Sequence, residues 1–318
     1  MLKVLLPTDP LCKKIKHNTF KPILSSIIKT KMSPITKHIN IPVTDLAPLC
    51  GMDHYNNKNK SLCRIWKQLY PSDYIQTENL TRNMGNYCSL DSNINKIKTL
   101  EKKSGSKVSA SSKVSIINSK KEHSSLALTN NQSVIEKDIL KCDKLTTNEK
   151  TQMVSLMNSA SNVVYGSRNE NRGIISFTKI TGKKLQDKQG KLIFNFATDE
   201  ILNGDIVEWN ITGKYDGLTT DNEVVEIKNR QRRLFNEIRD YEMCQLQMYL
   251  HMVNSNMGYL VEVLGGKTTD DNGINILQAR REVNYFTLFL QSYLNDIRTF
   301  CLDIPYMSDD DKLKIMSG

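Results

Sequence analysis

The chain has 318 residues, a net charge of +10 and 39% hydrophobic residues, enough for one core of roughly 150–200 residues with additional segments. No run of about 18 apolar residues occurs, which excludes an obvious membrane helix. The seven cysteines are odd in number and contain no C-x-x-C pair, which points away from a disulfide framework and toward a reducing intracellular compartment.

The charge is unevenly placed. Residues 1–150 carry 25 Lys and Arg against 12 Asp and Glu, whereas residues 151–318 carry 19 against 22. A basic half beside a slightly acidic one suits a polyanionic partner such as nucleic acid, because Lys and Arg displace the counterions condensed on phosphates.

Residues 1–40 mix Lys, Pro and scattered apolar positions without a sustained period, and read as a basic extension. Ser and Arg are not enriched there as an organelle transit peptide would require. Residues 41–87 read as a folded segment packing on the main domain, with a turn at Gly51 and apolar residues from Leu62 to Leu69 at helical spacing. Residues 88–132 are rich in Ser, Lys and Asn and read as a low-complexity linker or insertion, making the basic N-terminal half partly disordered.

The main domain is expected over 133–304, followed by a tail at 305–318. Thr147 sets up a helix over 148–164, and a second helix over 169–180 ends at Thr181-Gly182, where glycine closes a helix in the left-handed conformation. Strand-like runs Leu192–Phe196, Ile206–Lys214 and Glu223–Lys228 read as a meander. A helix over Tyr241–Val253, strands Gly258–Leu264 and Ile274–Leu277 around a turn at Asp270–Gly273, and a helix from Glu282 to Cys301 complete the chain. The expected class is α/β, a central mixed β-sheet flanked by helices.

The chemistry concentrates in Ile211–Leu218 and Glu226-Ile227-Lys228, a D-x9-E-x-K pattern that begins at Asp216. Residues two apart on a strand face one side, so Glu226 and Lys228 share a face while Ile227 turns inward. A second carboxylate from Asp216 beside Glu226 would attract a hard cation, with the Ile227 carbonyl as a further ligand. A metal so held activates water and neutralises a phosphodiester, and a nearby ammonium orients the water. A lone E-x-K triplet is more often a solvated strand edge; the apolar Val224-Val225 before it and the Asp-Gly at the preceding strand end weigh against that reading here.

Other constellations are weaker. Cys50, His54 and Cys63 lack a second well-spaced pair for zinc, and the remaining histidines form no recognisable triad. No Gly-rich phosphate loop or dinucleotide fingerprint occurs.

Asp216 with Glu226-Ile227-Lys228 resembles the PD-(D/E)XK nuclease core, and more narrowly the YqaJ-like viral recombinases and phage lambda-type exonucleases. Three further segments carry the narrower resemblance: Gly166 to Glu170 with Phe177 and Thr181-Gly182-Lys183; the Gln245-x-x-x-Tyr249 helix; and Asp45 to Tyr55. The long gap between the Asp45–Tyr55 segment and Gly166, and an extra hairpin between Glu170 and Asp216, depart from the family pattern.

The resemblance implies a restriction-endonuclease-like core and a Mg²⁺- or Mn²⁺-dependent deoxyribonuclease, with a large DNA virus as source. Asp216, Glu226, Lys228, Glu170 and Gln245 would be catalytic, and Asp216, Glu226, Ile227 and Glu170 would hold the metal. An acid in the first turn of a helix also complements the helix dipole, a bland alternative for Glu170. Arg230, Arg232, Arg233, Tyr249 and Lys214 are expected to contact DNA, although a basic turn is more often merely solvated. The implied activity is exonucleolytic resection of duplex DNA, with a single-strand annealing protein as partner. The rival readings are a structure-specific or nicking endonuclease and a non-catalytic nucleic-acid-binding protein on the same fold.

Overall fold

The computed structural model describes residues 35–81, 88–105, 108–112, 114, 125–201, 205–264 and 273–318. Residues 1–34 of the basic extension and most of the expected turn at 270–273 lie outside them. The described chain is a mixed α/β fold, as its patterning predicts, with two mixed sheets flanked by helices.

The strands are β1 (Thr36–Pro42), β2 (Leu185–Lys188), β3 (Lys191–Glu200), β4 (Ile206–Lys214), β5 (Gly217–Thr219), β6 (Val224–Arg230), β7 (Met257–Leu264) and β8 (Ile274–Arg280). A three-stranded sheet has the order β1-β4-β3, and a five-stranded sheet the order β2-β5-β6-β7-β8. β1 runs parallel to β4, and β6 parallel to β7; the other pairings are antiparallel.

The expected single meander is therefore corrected: β4 and β6 belong to different sheets. Tyr215 and Asp216 are the two residues linking β4 to β5, so Asp216 stands where the chain crosses from one sheet to the other. β1 was not visible in the sequence because its register comes from tertiary pairing with β4, Thr36 opposite Ile206 through Pro42 opposite Thr212.

The helices are α1 (Val43–Leu49), α2 (Lys58–Leu69), α3 (Pro71–Thr81), α4 (Asn93–Lys103), α5 (Ser125–Leu140), α6 (Thr147–Thr181), α7 (Asp240–Val253), α8 (Gln291–Asp303) and α9 (Asp309–Ser317). One widened turn, Tyr285–Leu290, precedes α8.

Two expected helices prove to be one. α6 runs 35 residues, opened by a capping box in which Thr146 and Glu149 satisfy each other's amides, and closed by left-handed Gly182 at φ 70°. Nothing lies within 4 Å of where a Cβ on Gly166 would stand, so that glycine neither breaks the helix nor serves a close contact.

Of the stretch expected at 88–132, residues 106–107, 113 and 115–124 lie outside the described residues, and the described part includes helical segments. α4 and α5 pack on the N-terminal part of α6, and Ile97, Val108, Ala110, Val114, Ile135 and Ile139 are buried in an apolar cluster with Met153 and Met157. The expected C-terminal tail forms α9, whose Ile315 and Met316 are buried, and Lys312 Nζ lies 2.6 Å from Asp73.

Alternation along the strands divides the remaining core. Val224 and Leu260 join Trp209, Ile211, Leu246 and Leu250 on the α7 side, whereas Val225, Ile227, Val261 and Val263 pack against Ile174 and Phe177 of α6. The period of two therefore places Glu226 and Lys228 on the α7 side of β6 while Ile227 anchors α6.

Candidate metal centre and catalytic cleft

β5 pairs with β6 only at Val224 and Val225. Beyond that point the β6 edge is open, and Asp216 fills it: its Oδ2 accepts the Ile227 amide at 2.7 Å. The N–H and C=O of one strand residue point to the same edge, so the Ile227 carbonyl is directed to the Asp216 side as well.

α6 closes the opposite wall. A Cβ on Gly173 would stand 2.4 Å from Ile227 Cγ2 and 3.2 Å from Val263 Cγ2, so only glycine lets the helix lie this close to β6. Asn229 Nδ2 donates to the Gly166 carbonyl at 2.8 Å and fixes the helix along its axis. Glu170 lies between these two attachments and faces the cleft. Because it stands deep inside the 35-residue helix, the first-turn dipole explanation for this acid no longer applies.

The resulting cleft, about 570 Å³, brings together Glu170, Lys214, Asp216, Glu226, Ile227, Lys228, Gln245 and Tyr249, along with Thr44, Gln189, Lys191 and Thr212. Lys228 Nζ contacts Glu226 Oε1 at 3.0 Å and donates to Gln245 Oε1 at 2.9 Å. Gln245 Nε2 in turn donates to Glu226 Oε1 at 2.9 Å. This three-way contact fixes the rotamers of all three side chains and consumes one oxygen of Glu226.

The other oxygen, Glu226 Oε2, is buried and has no hydrogen-bond partner, on a residue only 6% exposed. A buried, unsatisfied carboxylate oxygen is costly unless something else occupies it. Burial pushes the Glu226 carboxyl up to about 7, opposed by Lys228 and reinforced by Asp216. Burial also pushes Asp216 up to about 6, with the Ile227 amide opposing and Glu170 reinforcing. Glu170 is raised too, by burial and then by Glu226. Burial alone would lower Lys228, but the carboxylate of Glu226 outweighs it and holds the ammonium protonated.

These groups fit a hard divalent cation. Among the described residues no three His, Cys, Asp or Glu side chains converge tightly enough to hold an ion by themselves. The available donors are thus Asp216, the free oxygen of Glu226, the Ile227 carbonyl and water, a mixed set of the kind Mg²⁺ accepts while keeping several waters. Glu170 Oε2 is engaged by Gln189 Nε2 at 2.9 Å, which places that acid at the cleft wall.

Two expected DNA contacts are corrected. Arg230 is committed inside the protein: its side chain, 11% exposed, pairs with Glu242 at 2.8 Å and Glu262 at 2.7 Å. Tyr249 is only 3% exposed, and its hydroxyl is bound to the backbone of Lys214. Arg232 and Arg233 are exposed, outside the cleft lining, with the Arg233 guanidinium 5.3 Å from the Phe235 ring centroid. Lys214 does line the cleft.

Sequence reasoning missed Gln189, Lys191, Thr44, Thr212 and Gly173. Only Gly173 carried any signal, as a glycine inside a helical pattern; the others are ordinary polar residues whose position depends on how two sheets meet.

The site defined by these side chains is a two-carboxylate, one-lysine centre on the open edge of a β-strand. No family model matches the chain, and no curated protein matches it. Solved structures similar to it include an alkaline exonuclease, LHK-Exo, from Laribacter hongkongensis, at 12% identity over 56% of this chain and 83% of that one, with a TM-score of 0.35. Others are the same enzyme in complex with dAMP, at 14% identity over 63% and 92%, TM-score 0.33, and SSO0001, at 18% over 52% and 74%, TM-score 0.32. At such scores these likenesses add nothing to what the cleft side chains show.

Proposed function

We propose that this protein is a divalent-metal-dependent nuclease that hydrolyses DNA phosphodiesters, acting as an exonuclease that resects duplex ends. The observation that carries the reading is the unpartnered Glu226 Oε2, buried beside the Asp216 carboxylate and flanked by a protonated lysine.

Asp216, Glu226 and the Ile227 carbonyl would hold Mg²⁺ or Mn²⁺, which when bound acidifies a water and neutralises charge on the scissile phosphate. Lys228 keeps its proton at neutral pH and presents an ammonium, oriented by Gln245, to the attacking water or to a phosphate oxygen. Gln245 orients both partners of the Glu226–Lys228 pair. Glu170 adds a carboxylate at the far wall. The basic charge of the first half supports affinity for a polyanion, and the resemblance read from the sequence supports duplex ends as substrate and a strand-annealing protein as recipient of the product.

The test is incubation of the purified protein with end-labelled linear duplex and with covalently closed circular DNA, in Mg²⁺ or EDTA, beside Glu226→Ala and Lys228→Ala. Metal-dependent loss of the linear DNA alone, abolished by both substitutions, is the expected result. Cutting of the circle would assign an endonuclease, and binding without cutting would assign a non-catalytic DNA-binding protein.

A further inference from the structure

We infer that Lys191 and Lys214 form a two-ammonium clamp for a backbone phosphate of the nucleic-acid strand, an inference that rests on the nuclease reading and adds a substrate-binding site to it. Lys191 is the first residue of β3 and Lys214 the last of β4, and the antiparallel register sets them directly opposite each other. Residues so paired share a face of the sheet with Cβ atoms roughly 4.5–5.5 Å apart, a separation at which like charges repel. Both side chains are exposed and both line the cleft that holds Asp216 and Glu226.

Neither lysine has an ion-pair partner among the described residues. Lys214 is near enough to Glu170 and Asp216 to favour their ionised forms without pairing with either, and Lys191 opposite it adds a second cation at the mouth of the cleft, a pair placed to take up an anion from outside. A phosphodiester offers two free oxygens, one for each ammonium, and lysine meets it as a mobile point charge.

The turn that delivers Lys191 is built for that task. Residues 187–190 fold back over the cleft with Gln189 at φ 57°, a conformation uncommon for a side-chain-bearing residue. The Gln189 amide donates to the Asp216 carbonyl at 3.3 Å, and its side chain reaches Glu170. A Cβ on Gly190 would stand 2.2 Å from the Tyr215 hydroxyl, which itself donates to Asp187 at 2.7 Å. The turn is thus tied to the carbonyl of Asp216 itself and to the side chain of Tyr215 before it, and Lys191 follows immediately.

The experiment measures duplex binding to the full chain by fluorescence anisotropy, with Ca²⁺ in place of Mg²⁺, over a series of salt concentrations. The parent is compared with Lys191→Gln, Lys214→Gln, the double variant, Lys191→Arg, and Lys179→Gln as an equal charge change on the exposed face of α6. Each cleft substitution is expected to weaken binding about tenfold at low salt and to lower the log–log salt slope by about one, as removal of one phosphate contact does. Lys191→Arg and Lys179→Gln should bind as the parent does, and cleavage in Mg²⁺ should show a raised KM with a smaller change in kcat. Lys191→Gln should not lower Tm, since it relieves the repulsion from Lys214. Parental affinity and slope in both Gln variants, with the parent binding and cutting DNA, would overturn the clamp and leave the nuclease standing. A parent that neither binds nor cuts duplex would overturn both.

Discussion

The Tyr249 hydroxyl holds the backbone of Lys214 from two sides, donating to its carbonyl at 3.0 Å and accepting from its amide at 3.3 Å. One side chain of α7 thereby fixes the end of β4 two residues before Asp216, and Gln245, one turn earlier on the same face, fixes Glu226 and Lys228. Glu226 and Lys228 stand on one sheet and Asp216 on the link that arrives from the other, and this helix keeps the three proposed catalytic groups in register.

Tyr249→Phe should therefore cost about 1–2 kcal/mol of stability, since both Lys214 groups lose a partner, and should lower kcat more than it raises the Kd for DNA. Steady-state kinetics with parallel thermal unfolding would check this. A variant with parental kcat would show that Asp216 needs no such support. Gly213→Ala tests the same joint, because its Cβ would stand 2.5 Å from Tyr249 Cε1 and 2.8 Å from Val43 Cγ2; an overpacking loss of about 1–3 kcal/mol is expected.

The legible part of this arrangement was the part carried by local period. Alternation along Val224–Lys228 predicted that Glu226 and Lys228 share a face, and four-residue spacing predicted that Gln245 and Tyr249 do. What Tyr249 does with its position was not legible, since a helix face says nothing about whether it meets solvent or a strand end. Gln189 and Lys191 were hidden for the same reason: their role follows from a hairpin folding back onto Asp216. Within the stretch 88–132, α4 was hidden because the polar composition conceals Ile94, Ile97 and Leu100, which are spaced to lie on one face of that helix and pack on α6.

Metal binding should depend steeply on pH. Asp216 is raised to about 6 and Glu226 to about 7, and a cation binds only the ionised forms. The increase in Tm produced by Mg²⁺ or Mn²⁺ should be large at pH 8, shrink as pH falls through 7, and vanish below about pH 5.5. Cleavage should follow the same curve. A metal-induced shift of equal size at pH 5 and pH 8 would place the ion elsewhere.

Without metal the same groups should act in the opposite direction on stability. Asp216 has a folded pKa raised above its unfolded value, so its contribution is fully present below the unfolded pKa and is lost as pH rises through about 6. Asp216→Asn removes that loss, keeps an oxygen for the Ile227 amide, and should stabilise the metal-free protein at pH 8 by about 1–3 kcal/mol. It should do nothing at pH 4 and should abolish both the metal-induced shift and cleavage. Chemical unfolding at the two pH values separates these effects, and a destabilised Asn variant at pH 8 would contradict them.

Arg230 and Arg232 should part company when mutated, although both were expected to grip DNA. Arg230 faces Glu242 and Glu262, which are 1% and 0% exposed. Glu262 also accepts the amides of Phe235 and Asn236, so the pair anchors the loop after β6. Removing the guanidinium leaves buried carboxylates uncompensated, and Arg230→Ala should lose about 3–5 kcal/mol of stability. Arg232 is exposed and has no such partners among the described residues. Arg232→Ala should leave Tm unchanged and alter only the salt dependence of DNA binding. Thermal unfolding of the two variants side by side decides the matter: if Arg230→Ala unfolds with the parent and loses DNA affinity instead, the internal ion pairs are not what holds that loop.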